Sequence, residues 1–128
     1  MMKLALPSYK DGRYIRRKLR IFYEANKDYN RYPDREIKEL RRALKRLFQF
    51  FKLSIPNIVW YEHFGISENK TLGRCSPEGT IELLSPHNHP GHFDSWLNTF
   101  YHEVGHYVLW YDWEKKAREF ARKMEVRY

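Results

Sequence analysis

The order of hydrophobic patterns predicts an α+β fold: two N-terminal helices, a small three-stranded antiparallel sheet and two C-terminal helices. Three observations carry that prediction. Apolar residues recur at three- and four-residue steps from Ile37 to Phe51 and again from Leu97 to Val108. Between these stretches lie short β-branched and aromatic runs, set apart by Pro, Gly and Ser. The 128 residues suffice for one domain around one hydrophobic core.

Each element has its own justification. Residues 9 to 30 read as a basic helix with Tyr14, Leu19, Phe22 and Tyr23 as packing positions, interrupted at Tyr32-Pro33-Asp34. The next helix opens on a proline and acidic residues, which suit a helix N-terminus. Its apolar residues Ile37, Leu40, Leu44, Leu47, Phe48 and Phe51 form one stripe, and it ends before Ser54-Ile55-Pro56. Ile58 to Tyr61, Thr71 to Cys75 and Thr80 to Leu84 are the three strands, with turns at Gly65 to Lys70 and at Ser76-Pro77-Glu78-Gly79. Their short connections suggest antiparallel pairing in chain order. Residues 85 to 94 hold two prolines and a glycine and form a loop. Helical periodicity returns near Ser95, with Leu97, Phe100, Tyr101, Val104 and Val108 on one face. A last helix runs from Trp113 to about Val126, with Ala117, Phe120, Ala121 and Met124 on one side. The basic helix over 1–32 is read as an extension to a core over 33–128.

Composition narrows the classes. The formal charge is +8, and much of it lies in the first 46 residues. Such a field attracts nucleic acid, anionic membranes or acidic proteins. Nucleic acid is therefore a candidate partner through the basic N-terminal half, beside the simpler reading of two solvated helix faces. The single cysteine, Cys75, excludes an intramolecular disulfide and a cysteine zinc cluster. No stretch approaches the ~20 apolar residues of a membrane span. The first residues are apolar for too short a run to be a signal peptide, so a cytoplasmic protein is expected.

The chemistry is concentrated in His102-Glu103-Val104-Gly105-His106, an H-E-x-x-H sequence. Residues four apart on a helix share a face. Two imidazoles so placed can both bind one Zn²⁺ at ~2.0–2.1 Å. Glu103, one step around the helix, stands beside the metal and can take the proton of a water that the metal activates. Catalytic zinc needs a third protein ligand. Glu114 is the first choice, eight residues past His106. One continuous helix would set the two ~12 Å apart along its axis, so the chain must turn near Tyr111-Asp112. Asp112 then suits the cap of a new helix with Glu114 in its first turn. Asp112, His87, His89 and His92 are rival third ligands. The three loop histidines could equally contact substrate or stand in solvent. No partner base for Cys75 is identifiable, and no residue stands out as an oxyanion stabiliser.

From Trp60 to Met124 the chain resembles the gluzincin metallopeptidases, specifically the compact ImmA/IrrE-like and minigluzincin type. The matching pieces are Thr80-Ile81-Glu82-Leu83-Leu84, then Asn98 to His106, then Glu114-Lys115-Lys116-Ala117-Arg118-Glu119-Phe120-Ala121. The last is similar to that group's E-x-x-A-x-x-F-A pattern, whose leading Glu is the third zinc ligand. The resemblance implies a zincin-like core with a metal helix and a following glutamate helix, zinc on His102, His106 and Glu114, and Glu103 as general base. It also implies hydrolysis of a peptide or protein substrate that pairs in extended form with the third strand at a sheet edge. SprT-like proteases share the metal helix and basic charge but usually place a third histidine downstream, and none follows His106. Beside the peptidase stand two alternatives: a nucleic-acid-associated regulatory protease and a catalytically silent zinc-binding scaffold.

Overall fold

The computed structural model describes residues 5–28, 34–61, 72–109 and 114–128. Within them the order is α1 (Tyr9–Asn26), α2 (Asp34–Phe51), β1 (Asn57–Tyr61), β2 (Gly73–Cys75), β3 (Thr80–Leu84), α3 (Phe93–Val108) and α4 (Glu114–Arg127). The expected α+β class holds. The breaks read at Tyr32-Pro33 and Tyr111-Asp112, and the turn from Gly65 to Lys70, lie outside the described residues.

α1 begins where the Ser8 side chain accepts a hydrogen bond from the Asp11 backbone N–H, satisfying a free donor of the first turn. It buries Ile15, Leu19, Phe22 and Tyr23, while Tyr14 is only half-buried. α2 buries Leu40, Leu44, Leu47 and Phe48, as its stripe predicts. It stops at Lys52, whose φ of 58° lets the Leu53 N–H reach back to the Phe48 carbonyl. The two helices pack as an antiparallel hairpin, with Lys18 paired to Glu39 and Arg46 to Asp11 across the seam.

The sheet departs from expectation. Its order is β1-β3-β2, and β1 runs parallel to β3, with Asn57 opposite Thr80 and Tyr61 opposite Leu84. Only β2 and β3 are antiparallel, joined through Ser76–Gly79. β3 is therefore central, paired on both sides, and is not the edge strand that the resemblance implied. The physical reason is burial. Ile81 and Leu83 are fully buried and Leu84 nearly so, which suits the position with no free edge. The edges fall to β1 and to the three-residue β2.

One core joins these parts. Phe22 of α1, Trp60 of β1 and Trp96 and Phe100 of α3 form a run of rings with centroids 5.1 to 6.2 Å apart. α4 closes the other side with Ala117, Phe120, Ala121 and Met124, all buried. Among the described residues no helix is long and apolar enough to cross a membrane.

Candidate metal centre

The site lies where the C-terminal half of α3 meets the first turn of α4. α3 ends at Val108, capped by a Leu109 N–H bond to the Gly105 carbonyl, so one helix does not run through both His106 and Glu114. The chain resumes with Glu114 as the first residue of α4. Two small residues then let the helices close. A Cβ added at Gly105 would stand 3.1 Å from Ala117 Cα and 3.1 Å from the Phe120 ring. Glycine inside a helix weakens it by roughly 0.5–1 kcal/mol relative to Ala, and here that cost permits the close approach.

The result is a three-residue cluster. His102 Nε2 is 2.7 Å from one Glu114 oxygen, and His106 Nε2 is 3.0 Å from the other. The imidazole centroids are 4.9 Å apart. His102, His106 and Glu114 each offer one ligand atom, and these atoms all lie within 4.8 Å of one another. Tetrahedral ligands bonded at ~2.0–2.1 Å stand roughly 3.3–3.4 Å apart, so the spacing of these donors is close to what an ion needs. The donor set, two imidazoles and one carboxylate, is borderline in softness and suits a late divalent transition metal. Burial holds His102 below the ordinary imidazole value, outweighing the opposing pull of Glu114. That favours the neutral ring, the form that binds a metal.

Glu103 follows His102 on α3, and the charge of Glu114 reaches it. It is 5% exposed, and its Oε1 has no hydrogen-bond partner among the described residues. Desolvation, with the charge of Glu114 added, pushes its carboxyl up to about 8. Its wall is β2. A Cβ at Gly73 would stand 2.9 Å from a Leu83 methyl and 3.1 Å from Glu103 Cγ, so the glycine lets β2 lie close against Glu103. Cys75 follows on the same strand. Burial, then the nearby Glu103 carboxylate, raises its thiol to about 11. It stays protonated at neutral pH and is a poor nucleophile. An open cleft of about 420 Å³ adjoins His106, walled by Cys75, Pro77, Gly79, Tyr107 and Leu109.

The rival ligands fall away from this point. His89 is buried and engaged elsewhere, with Nδ1 2.6 Å from the Pro90 carbonyl and Nε2 2.9 Å from the Thr99 hydroxyl. Burial lowers its pKa, so the ring is neutral. Its contacts with the Pro90 carbonyl and the Thr99 hydroxyl tie the loop to α3. His87 is exposed and 3.0 Å from the Lys27 carbonyl, and His92 is exposed at the start of α3. Asp112 lies outside the described residues. Tyr107 donates its hydroxyl to the Ser54 carbonyl at 2.7 Å.

Two contributors escaped sequence reasoning: Gly105, which seats α4, and Gly73, which seats Glu103. Both carried a readable signal, a glycine inside a regular element. No protein-family model, curated protein or solved structure matches this chain.

Proposed function

We propose that this protein is a zinc-dependent metallopeptidase of the gluzincin type, using His102, His106 and Glu114 as metal ligands and Glu103 as general base. The observation that carries the reading is the pairing of two features in one place. Three neutral-or-anionic donors converge within 4.8 Å. Beside them sits a buried carboxylate with an unpartnered oxygen. Trp96 Nε1 and the Tyr101 hydroxyl are also buried without a partner among the described residues, but Glu103 is the carboxyl next in sequence to a cluster histidine.

The donor set fits a catalytic rather than a structural zinc, since three protein ligands leave a coordination position open. Zinc, when bound there, supplies Lewis acidity that polarises a carbonyl and acidifies a water. The chain's own residues do the rest. Glu103 accepts the proton of the attacking water and delivers it to the leaving amine nitrogen. A carboxylate within reach of the attacking water and of the leaving nitrogen can serve both steps. Glu114 and the two histidines hold the metal's position. β2, the edge strand beside Glu103, is the natural partner for an extended peptide, and the cleft next to His106 would receive one of its side chains.

The reading is tested with zinc-loaded protein and an unfolded substrate such as casein. Wild type should cleave it, and Glu103→Gln should retain zinc yet lose roughly 10²–10⁴-fold in rate. Unchanged cleavage in Glu103→Gln would remove Glu103 from the chemistry. Zinc binding with no cleavage by the wild type would leave a metal-binding scaffold.

A further inference from the structure

The charge of this protein is not spread over it. Residues 1–61 carry 16 Lys and Arg against 6 Asp and Glu, whereas the remaining residues carry 8 against 10. The whole excess of positive charge therefore belongs to residues 1–61, most of it on α1 and α2. None of the three metal-cluster residues is on that hairpin.

Its distribution there is ordered. The acidic residues of the hairpin are largely used up along its seam. Glu39 is taken by Lys18 and Arg42, Asp11 by Arg46, and Glu24 by Arg20 and Lys27. On the solvent side of that seam lie two exposed stripes at helical spacing. Lys10, Arg13 and Arg17 are on α1, and Arg35, Lys38 and Lys45 are on α2. Arg17, Arg35, Lys38 and Lys45 have no carboxylate partner among the described residues. Several neighbouring cations are also held in place. The Arg46 guanidinium lies 4.2 Å from the Tyr14 ring centroid, with Arg17 over the same ring at 5.7 Å, and Arg16 and Arg20 flank Phe93 at 5.2 and 5.4 Å. Of these arginines Arg17 alone lacks a carboxylate partner among the described residues, and holding it before its partner arrives lowers the ordering cost of binding. Like charges crowded this way oppose folding, and a polyanion relieves the repulsion.

We propose that the outer face of the α1–α2 hairpin binds the phosphate backbone of duplex nucleic acid without reading its sequence. A bilayer surface fits less well, because the face offers Ile21 as its one exposed aliphatic group, at 37%, where an interfacial helix needs a full apolar stripe. A single strand also fits less well. It binds through several open aromatic platforms, whereas the Tyr14 and Phe93 rings are covered by guanidinium groups and Tyr9 is the one well-exposed ring of α1 among the described residues. The binding is independent of the metal centre and of the peptidase reading.

The test is fluorescence anisotropy of the full chain with a labelled DNA duplex of arbitrary sequence, titrated across salt. Binding should be tight at low salt and weaken steeply, with a log–log slope of about −4 if four to five phosphates are contacted. Arg17→Glu with Lys38→Glu should weaken it by roughly tenfold or more. Arg122→Glu with Lys123→Glu, an equal change of net charge at exposed positions of α4, should alter it by about twofold or less. Melting curves establish that both variants are folded, and if the first pair does not fold, Arg17→Gln with Lys38→Gln takes its place with the same expected direction. Equal weakening by both pairs would overturn the proposal, since net charge alone would then explain binding. So would no binding at low salt, or a preference for anionic lipid vesicles over the duplex.

Discussion

The N-terminal hairpin and the C-terminal helix pair are both two helices packed side by side against one core, yet their seams are built from opposite materials. In the hairpin the seam is ionic and lies near solvent, with Lys18–Glu39 and Arg46–Asp11 bridging the helices and aromatic rings beneath the cations. Its remaining charge faces outward, where water solvates it at little cost. Between α3 and α4 the seam is a glycine against an alanine, with His106 and Glu103 turned inward while the Glu114 side chain stays 56% exposed. His106 is buried at 6% exposure and Glu103 at 5%. Burying such groups opposes folding unless something compensates them. The contrast separates a region whose charges are individually solvated from the region that holds the proposed metal site.

Two substitutions sharpen the comparison. The larger effect is expected at Gly105→Ala. Alanine favours a helix interior by roughly 1 kcal/mol over glycine, but the added methyl would press on Ala117 Cα and Phe120, at a typical crowding cost of about 1–3 kcal/mol. α4 must shift, and Glu114 shifts with it. Zinc affinity should fall about tenfold, a loss of the size seen when groups supporting a metal ligand are disturbed. Isothermal titration of zinc into the variant checks this, and unchanged affinity would mean that the helix contact does not set Glu114.

A smaller effect is expected in the hairpin from Glu39→Gln. The Lys18 ammonium beside Glu39 holds its carboxyl below the ordinary value, with Arg42 adding to the effect. A depressed carboxylate contributes stability above its unfolded pKa of about 4.3 and loses it as pH falls through the folded value. The variant should therefore be about 1 kcal/mol less stable at neutral pH and match the wild type in acid. Denaturant melts at pH 7 and below pH 4 measure the difference. A gap that persists in acid would assign the effect to packing instead.

The same contrast explains what was legible in the sequence. The helices could be read because burial and chain period coincide. The stripe from Ile37 to Phe51 and the set Ala117, Phe120, Ala121 and Met124 are local patterns, and each names its own buried face. The convergence of His102, His106 and Glu114 was also within reach, because an i, i+4 pair defines one face and Glu114 stood first among several candidate third ligands. Strand order was not. Nothing local to Ile58–Tyr61 states that its neighbour is Thr80–Leu84, because the pairing is set by which strand most needs cover on both edges. Gly73 and Gly105 act through what they lack, and a missing side chain gains meaning only beside the residue that fills its space.

The central claim is that His102, His106 and Glu114 hold one catalytic zinc. It is tested most directly by metal content of the purified chain after zinc loading and removal of excess, with Glu114→Ala measured beside the wild type and melting curves to establish that both are folded. One zinc per wild-type chain, lost in Glu114→Ala, is the result this structure predicts. A folded wild type that takes up no zinc, or a variant that keeps it in full, would contradict it.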